Sequence, residues 1–294
     1  MDARNFLELP RRMYGELVRG RTRVRIVDRS TAAANGPARF LLSPYRSGTT
    51  LMRYCLDSHP DLAVPPETDF IANLAEMLSD DRAMIGLADM GFSHGDVALR
   101  VGDFARSFHD AYAASKLATQ WLDKSPRYAE QPDIVPRLFP DALCLVMHRH
   151  PLDQIHSMTR GLSHSPDAYG DQLAGQSLAA AGAGYWRTVT RGLMEFCDNH
   201  PSQSHVMRYE DLCDDPEGTL RGALGHLQLE WSPEVLNYHR HDHDLGREAG
   251  RVTGTIGFRK STGGWHKWPQ DAVNDAWEVV RDVASDLGYE PPAG

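Results

Sequence analysis

The sequence has little lysine, no paired-cysteine motif and no long apolar stretch. Only four of its 31 basic residues are lysines, and its four cysteines include no C-x-x-C spacing, which argues against a disulfide scaffold or a zinc ribbon. The longest apolar run, 142–147, is far shorter than the roughly 20 residues of a membrane-spanning helix. No apolar signal segment follows the first basic residues. We therefore expect a cytoplasmic protein with reduced thiols and no membrane partner.

The acidic balance argues against general nucleic-acid binding. The 294 residues carry a net charge of −9, which opposes association with a phosphate backbone. The charge is unevenly spread, because residues 1–30 hold eight arginines against four acidic residues. If the remainder binds an anion, it must do so through a local cluster of cations.

Two regions differ in their patterns. Residues 1–36 form a basic leader with a short amphipathic helix predicted over 11–18, and residues 37–294 are expected to form one domain. Predicted strands and helices alternate within that domain. The strands are predicted at 39–43, 118–123, 142–147 and 204–209, and the helices at 50–58, 68–79, 97–115, 151–161, 173–197, 216–228 and 273–287. This alternation predicts an α/β fold of three layers (α/β/α), with a central, mostly parallel sheet.

A phosphate-binding turn is predicted directly after the first strand. The segment from Ser43 to Thr50 reads S-P-Y-R-S-G-T-T and leads into a helix, whose N-terminal N–H groups and dipole favour an anion. Gly48 and Thr50 match the ATP-binding pattern G-x-x-x-x-G-K-[ST], but Ser43 replaces its first glycine and Thr49 its lysine. The cation lies inside the loop, at Arg46. The missing lysine argues against an NTPase or kinase, and an ordinary turn with an exposed arginine is the alternative.

A second cation follows the most hydrophobic predicted strand. Arg149 comes at the expected carboxyl end of that strand, and Ser157 lies about two turns into the next helix. Together they can hydrogen-bond a phosphate. Ligands of open α/β sheets bind at the carboxyl ends of the strands, so we expect both anion sites at one edge. A solvated arginine and an ordinary helix serine are the alternative.

The loop carries a resemblance to a known family. Residues 45–50, followed by L-D-S-H-P at 56–60, resemble the sulfotransferases that use 3′-phosphoadenosine 5′-phosphosulfate (PAPS). The chain is more similar to the tyrosylprotein and bacterial branches than to the cytosolic aryl and steroid branch. The resemblance covers 38–270 in ordered segments. It implies that the donor's 5′-phosphosulfate is cradled, without a metal, by Arg46, Ser47, Gly48, Thr49 and Thr50.

The same resemblance implies contacts to the donor's other end. It assigns Arg149 and Ser157 to the 3′-phosphate, although the family usually has aspartate where this chain has His150. Tyr209, in the Y-E-D-L…D-P-E segment, is implied to contact the nucleotide.

A closing loop over the 3′-phosphate is implied near the C-terminus. The segment 258–265 reads F-R-K-S-T-G-G-W and resembles the family's R-K-G-x-x-G-x-W loop, with one residue fewer and serine for the first glycine. Either Arg259 or Lys260 is expected to bind the donor there.

Two residues are expected to act with Arg46 at the transfer centre. Lys124 follows a predicted strand and resembles the K-x-P lysine that stabilises the transferring group. Glu67 follows two prolines and matches the position of the catalytic base in the tyrosylprotein branch. A surface ion pair for the lysine and a helix N-terminal charge for the glutamate are the alternatives. Asp69 and His59 are reserve candidates for the base.

The resemblance implies an enzyme, a PAPS-dependent sulfotransferase that releases adenosine 3′,5′-bisphosphate (PAP). A nucleotide-binding protein without transfer activity and a phosphoryl transferase are the alternatives. We expect a small-molecule alcohol or phenol as the acceptor, with a saccharide or a peptide tyrosine as the next alternatives. The sequence leaves the oligomeric state open. The histidines at 239–243 have a spacing that could bind zinc, but a solvated loop is favoured because no fourth ligand is evident.

Overall fold

The structure is a computed structural model that describes residues 36–162, 178–245 and 257–292. The leader, with its predicted helix over 11–18, lies outside the described residues. The strands are β1 (Arg39–Leu42), β2 (Leu62–Ala63), β3 (Gln120–Trp121), β4 (Leu143–His148) and β5 (Ser204–Arg208). The helices are α1 (Thr49–Asp57), α2 (Phe70–Glu76), α3 (Asp81–Asp89), α4 (His94–Ser115), α5 (Arg127–Glu130), α6 (Ile134–Leu138), α7 (Pro151–Leu162), α8 (Leu178–Asn199), α9 (Tyr209–Asp214), α10 (Pro216–His226) and α11 (Gln270–Asp286).

The strands form parallel pairs around a central β1. β4 pairs with β1 and β5 pairs with β4, while β2 pairs with β3. Asp123, two residues beyond β3, joins that pair to β1, because its backbone N–H donates to Arg39 (2.9 Å) and its carbonyl accepts from Leu41 (3.0 Å). The spatial order is therefore β2-β3-β1-β4-β5. The chain continues from β1 toward β2 on one side of the sheet and from β4 toward β5 on the other, and open α/β sheets bind ligands at the carboxyl end of such a reversal.

Alternate strand residues pack on opposite faces of the sheet. Phe40 and Leu42 belong to one apolar cluster, which includes residues of α4, α8 and α11. Leu41 belongs to the other cluster, which includes residues of α1 and α10. Helices thus cover both faces, and the predicted α/β fold with its parallel central sheet is confirmed. No described helix is both long and apolar enough to cross a membrane.

The predicted elements differ from the structure mainly at short or exposed segments. The strand predicted over 118–123 has only two residues in regular pairing, and the one predicted over 204–209 ends at Arg208, with Tyr209 beginning α9. α3 is absent from the predicted elements, and none of its residues is buried. The helix predicted from residue 68 begins at Phe70, since Asp69 has a left-handed backbone (φ 52°).

One glycine of α4 permits a close contact with α6. A Cβ on Gly102 would lie 2.1 Å from the carbonyl oxygen of Leu138. Gly86 in α3 offers a matched control, because a Cβ there would meet nothing within 4 Å.

We expect Gly102→Ala to lower the free energy of unfolding by about 1–3 kcal/mol, because the two helices must separate. Gly86→Ala should instead raise it by roughly 0.5–1 kcal/mol through its better helix propensity. Urea denaturation measures both values. Equal effects of the two substitutions would contradict the packing described here.

Candidate active site

The sequence-predicted site residues follow five neighbouring strands. Across the sheet, Glu67 comes after β2, Lys124 after β3, Arg46 after β1, Arg149 after β4 and Tyr209 after β5. The strands are parallel, so these residues all lie at the carboxyl edge. The structure therefore brings together residues that are up to 163 positions apart in the chain.

The turn between β1 and α1 exposes the helix N-terminus. Gly48 precedes α1 with φ 96°, no side chain caps the helix among the described residues, and its first turn holds no acidic residue. Ser47 donates its hydroxyl to the carbonyl of Pro44 (2.8 Å) and closes the turn. The nine-residue helix begins at Thr49, so the backbone N–H groups of its first turn have no acceptor within the helix. This end of α1 suits an anion.

Arg46 connects the two predicted anion sites. Its Nε donates to the Ser157 hydroxyl (3.1 Å), and its carbonyl accepts from Nη1 of Arg149 (3.1 Å). Arg149 also stacks on the Tyr209 ring, with its guanidinium carbon 4.6 Å from the ring centroid. Ser157 thus contacts Arg46 rather than Arg149 in this arrangement. Arg46 and Arg149 therefore lie next to each other at the carboxyl edge of the sheet, where the sequence analysis expects both anion sites.

The segment 258–263 lies over Arg149 and Tyr209. Arg149 donates to the Ser261 carbonyl, the Ser261 N–H donates to the Tyr209 hydroxyl (3.2 Å), and that hydroxyl donates to the Arg259 carbonyl (3.2 Å). Lys260 forms an ion pair with Asp214. The segment therefore packs on Arg149 and Tyr209, with the lysine directed to α9.

His150 and Asp153 attach the end of this segment. The His150 ring stacks on Trp265, with centroids 6.1 Å apart and an interplanar angle of 9°, and Asp153 accepts from the Gly263 N–H (2.6 Å). Burial lowers the pKa of His150 and raises that of Asp153. The histidine that departs from the family pattern thus holds the covering segment.

A carboxylate shared by two cations lies at the other side of the loop. Glu67 Oε1 accepts from Lys124 Nζ and from Arg53 Nη1 (3.2 Å). The side chains are 12%, 8% and 1% exposed, respectively. Within the described part of the chain, no hydrogen bond reaches Oε2 of Glu67. The sequence analysis did not identify Arg53 as a site residue. The one feature that could have pointed to it is the position of a basic residue among the buried residues of α1.

The segment that carries Lys124 is anchored by a buried polar network. Asp123 accepts from the Tyr128 hydroxyl (2.7 Å) and pairs with His109 Nε2 (3.0 Å). Burial disfavours both charges, but their mutual hydrogen bond prevails, so the pKa of Asp123 is lowered and that of His109 is raised. The network fixes the backbone from which Lys124 reaches Glu67.

The two reserve bases have different surroundings. His59 is buried, with Nε2 2.8 Å from the Glu230 carbonyl and Nδ1 accepting from the Asp61 N–H (3.1 Å), so both ring nitrogens are engaged with backbone. The Asp69 N–H donates to the Ser125 hydroxyl (3.3 Å), and burial raises the pKa of its carboxyl group.

Two of the three histidines of 239–243 lie beside carboxylates in the structure. His241 lies 2.7 Å from Glu234, and His243 lies 2.7 Å from Asp57. Across 36–162, 178–245 and 257–292, no group of three or more His, Cys, Asp or Glu residues has the geometry to hold a metal ion.

Comparison with known proteins decides the family. Residues 37–233 match the family model described as "Sulfotransferase family". The chain belongs to the sulfotransferase family. Its relatives include protein-tyrosine sulfotransferase 1 of Homo sapiens, which is 28% identical over 272 residues (87% of this chain and 70% of that protein). The protein of the same name from Danio rerio is 25% identical over 271 residues (87% and 73%).

Solved sulfotransferase structures share the fold. The sulfotransferase domain from the curacin biosynthetic pathway superposes with a TM-score of 0.62 at 22% identity, covering 87% of this chain and 99% of that one. Mouse sulfotransferase SULT7A1 complexed with PAP gives a TM-score of 0.52 at 14% identity, covering 87% of each chain. The predicted resemblance to the sulfotransferases is confirmed, and the protein is an enzyme of sulfuryl transfer.

The end of β4 contains a histidine whose charge is suppressed. His148 is buried beside the Tyr289 hydroxyl, with Nδ1 3.0 Å away, and burial, with the nearby Arg208 cation, lowers its pKa to about 4. An unfolded histidine titrates near pH 6.5. Between these values the unfolded chain binds a proton that the folded chain does not, so the free energy of unfolding decreases as the pH falls through this range.

We expect His148→Gln to flatten this pH dependence. Between pH 6.5 and pH 4, the free energy of unfolding of the wild-type protein should fall by as much as about 3 kcal/mol more than that of the variant. The reason is that the variant has no side chain at this position that takes up a proton in this range. Urea denaturation at several pH values gives the two curves. Parallel curves would contradict the assignment to His148.

Proposed function

We propose that this protein transfers a sulfuryl group from PAPS to the phenolic hydroxyl of a tyrosyl acceptor. The observation that carries this proposal is the buried Lys124–Glu67–Arg53 cluster beside an uncapped helix N-terminus. A protein that only bound a nucleotide would need the helix end and its arginines. It would not need a carboxylate held by two cations at the neighbouring strand ends.

The donor would bind along the carboxyl edge from β1 to β5. The N-terminus of α1, with Ser47, Gly48, Thr49 and Thr50, would hold the 5′-phosphosulfate. Arg149 and Tyr209 would hold the 3′-phosphate end, together with Ser157 and the backbone of 258–263. The Nε of Arg149 is buried and donates to no described residue. A phosphate would supply the acceptor that this N–H group lacks. The solved structure of mouse sulfotransferase SULT7A1, which is complexed with PAP, supports this choice of donor.

The transfer step would take place between Arg46, Lys124 and Glu67. The acceptor oxygen forms a bond to sulfur while the bond between sulfur and the bridging oxygen of the 5′-phosphosulfate breaks, and its electron pair leaves with PAP. Arg46 and Lys124 would stabilise the charge that develops on the sulfonate and bridging oxygens. Glu67 would accept the acceptor's proton, using Oε2, which no described group occupies.

The relatives support a tyrosyl acceptor. Those named above are protein-tyrosine sulfotransferases, which favours a peptide tyrosine over the small-molecule acceptor expected first from the sequence. A carboxylate base is also compatible with a phenol. A phenolic hydroxyl has a pKa near 10, so only a modest base is needed to remove its proton. A carboxylate can act as that base once the transfer has begun.

We expect Glu67→Gln to lower turnover by about 10²–10⁴-fold, because glutamine cannot accept a proton. The assay incubates the protein with PAPS and a tyrosyl peptide and follows the peptide's conversion to its sulfate ester by mass spectrometry. PAP at 100-fold its Kd should stabilise wild type and variant equally, by about 2.7 kcal/mol. Turnover within a few-fold of wild type would place the base elsewhere.

We expect Arg149→Ala to raise the KM for PAPS by about 10–100-fold, because it removes charge-assisted hydrogen bonds. Arg137→Ala is the matched control, since that arginine lies in α6, at the amino end of the sheet. An unchanged KM in the first variant would contradict the assignment of Arg149 to the 3′-phosphate.

A further inference from the structure

Arg53 is a buried cation that the donor site itself does not require. It lies in the middle of α1, the helix whose N-terminus faces the anion site, and its side chain is 1% exposed. Arginine is almost never fully buried unless it is paired, because removal of its charge from water is costly. Its partners should therefore reveal why it is there.

The guanidinium group binds the segment that carries the base. Nη1 donates to Glu67 Oε1 (3.2 Å), and Nη2 donates to the Pro65 carbonyl (2.8 Å). These two bonds fix both the carboxylate and the backbone two residues before it. The planar fork of arginine provides this double contact, whereas the point charge of lysine does not.

Lys124 contacts the same oxygen of Glu67, so one carboxylate has two cationic partners. The proposed transfer step requires Lys124 at the sulfonate, and it is the more exposed of the two cations, at 8% against 1%. If Lys124 turned away without a second cation present, the buried carboxylate would be left without an opposite charge, which is costly. It would then also lose the contacts that fix its position for receiving the acceptor's proton.

We infer that Arg53 is a positioning residue, which keeps the Glu67 carboxylate paired and oriented while Lys124 turns from Glu67 to the donor. The inference rests on the proposed function. On this inference, α1 has two roles. Its N-terminus faces the phosphosulfate, and Arg53 in its middle holds the Glu67 carboxylate in place.

A double-mutant cycle tests this role. The variants are Arg53→Met, Arg53→Lys, Glu67→Gln and the two combinations, with kcat and the KM for PAPS measured on a tyrosyl peptide. We expect Arg53→Met to lower kcat at least about 10-fold with the KM for PAPS within about threefold. In the Glu67→Gln background the same replacement should have little further effect, because a residue that acts through Glu67 has nothing left to position. Arg53→Lys should recover part of kcat, since it retains the charge but not both bonds.

Arg39→Met is the matched control for the loss of a buried arginine. Arg39 is 2% exposed and lies at the amino end of β1, where Nε donates to the Leu227 carbonyl (2.8 Å). It should change stability without changing kcat. The shift in melting temperature produced by PAP verifies that each variant is folded, and Arg53→Lys carries the test if Arg53→Met does not fold.

Two results would overturn the inference. One is an unchanged kcat in the folded Arg53 variants, and the other is an equal loss of kcat in both Glu67 backgrounds, as a purely structural role requires. A wild-type protein that sulfates no tyrosyl peptide would refute the proposed function first, and the inference with it. An active wild type with additive losses would refute the inference alone.

Discussion

The central position of β1 in a parallel sheet is the constraint on which the site depends. Strands on either side of β1 direct their carboxyl ends to the same edge, so each loop contributes a residue without any long excursion of the chain. Lys124 and Arg149 come from the two strands that flank β1, and Arg46 comes from β1 itself. Glu67 and Tyr209 follow the two outer strands. Their order across the edge separates the proposed proton acceptor from the nucleotide-covering segment.

Local electrostatics oppose the overall charge of the chain. The protein carries a net charge of −9, yet an uncapped helix end and several arginines meet at one edge. Short-range contacts dominate there, because buried groups are screened less by salt and water than exposed ones. Arg53 and Lys124 contact one carboxylate, whereas Arg149 is held by two backbone carbonyls and the Tyr209 ring. Arg149 is consequently suited to receive an anion.

The sequence predicted the features that depend on local patterns. The strand-turn-helix around Gly48 is encoded within a dozen residues, and buried strands are recognisable from their apolar runs. The pairing of Arg53 with Glu67 could not be predicted, since it depends on the path of the chain through Pro65 and Pro66. The contact of Arg46 with Ser157 likewise depends on packing between two elements 111 residues apart. α3, which is absent from the predicted elements, contributes no buried residue, so the core that the apolar runs define does not depend on it.

The packing of Tyr209 against the first turn of α1 has a consequence for altering this protein. A Cβ at position 48 would lie 2.2 Å from the Tyr209 ring, so the turn tolerates only a hydrogen there while the ring remains. The left-handed backbone at this position adds a second reason for glycine. The two positions are 161 residues apart, yet the ring at one restricts the residue at the other. Diversification of the turn is therefore compatible with the aromatic ring only where position 48 stays glycine.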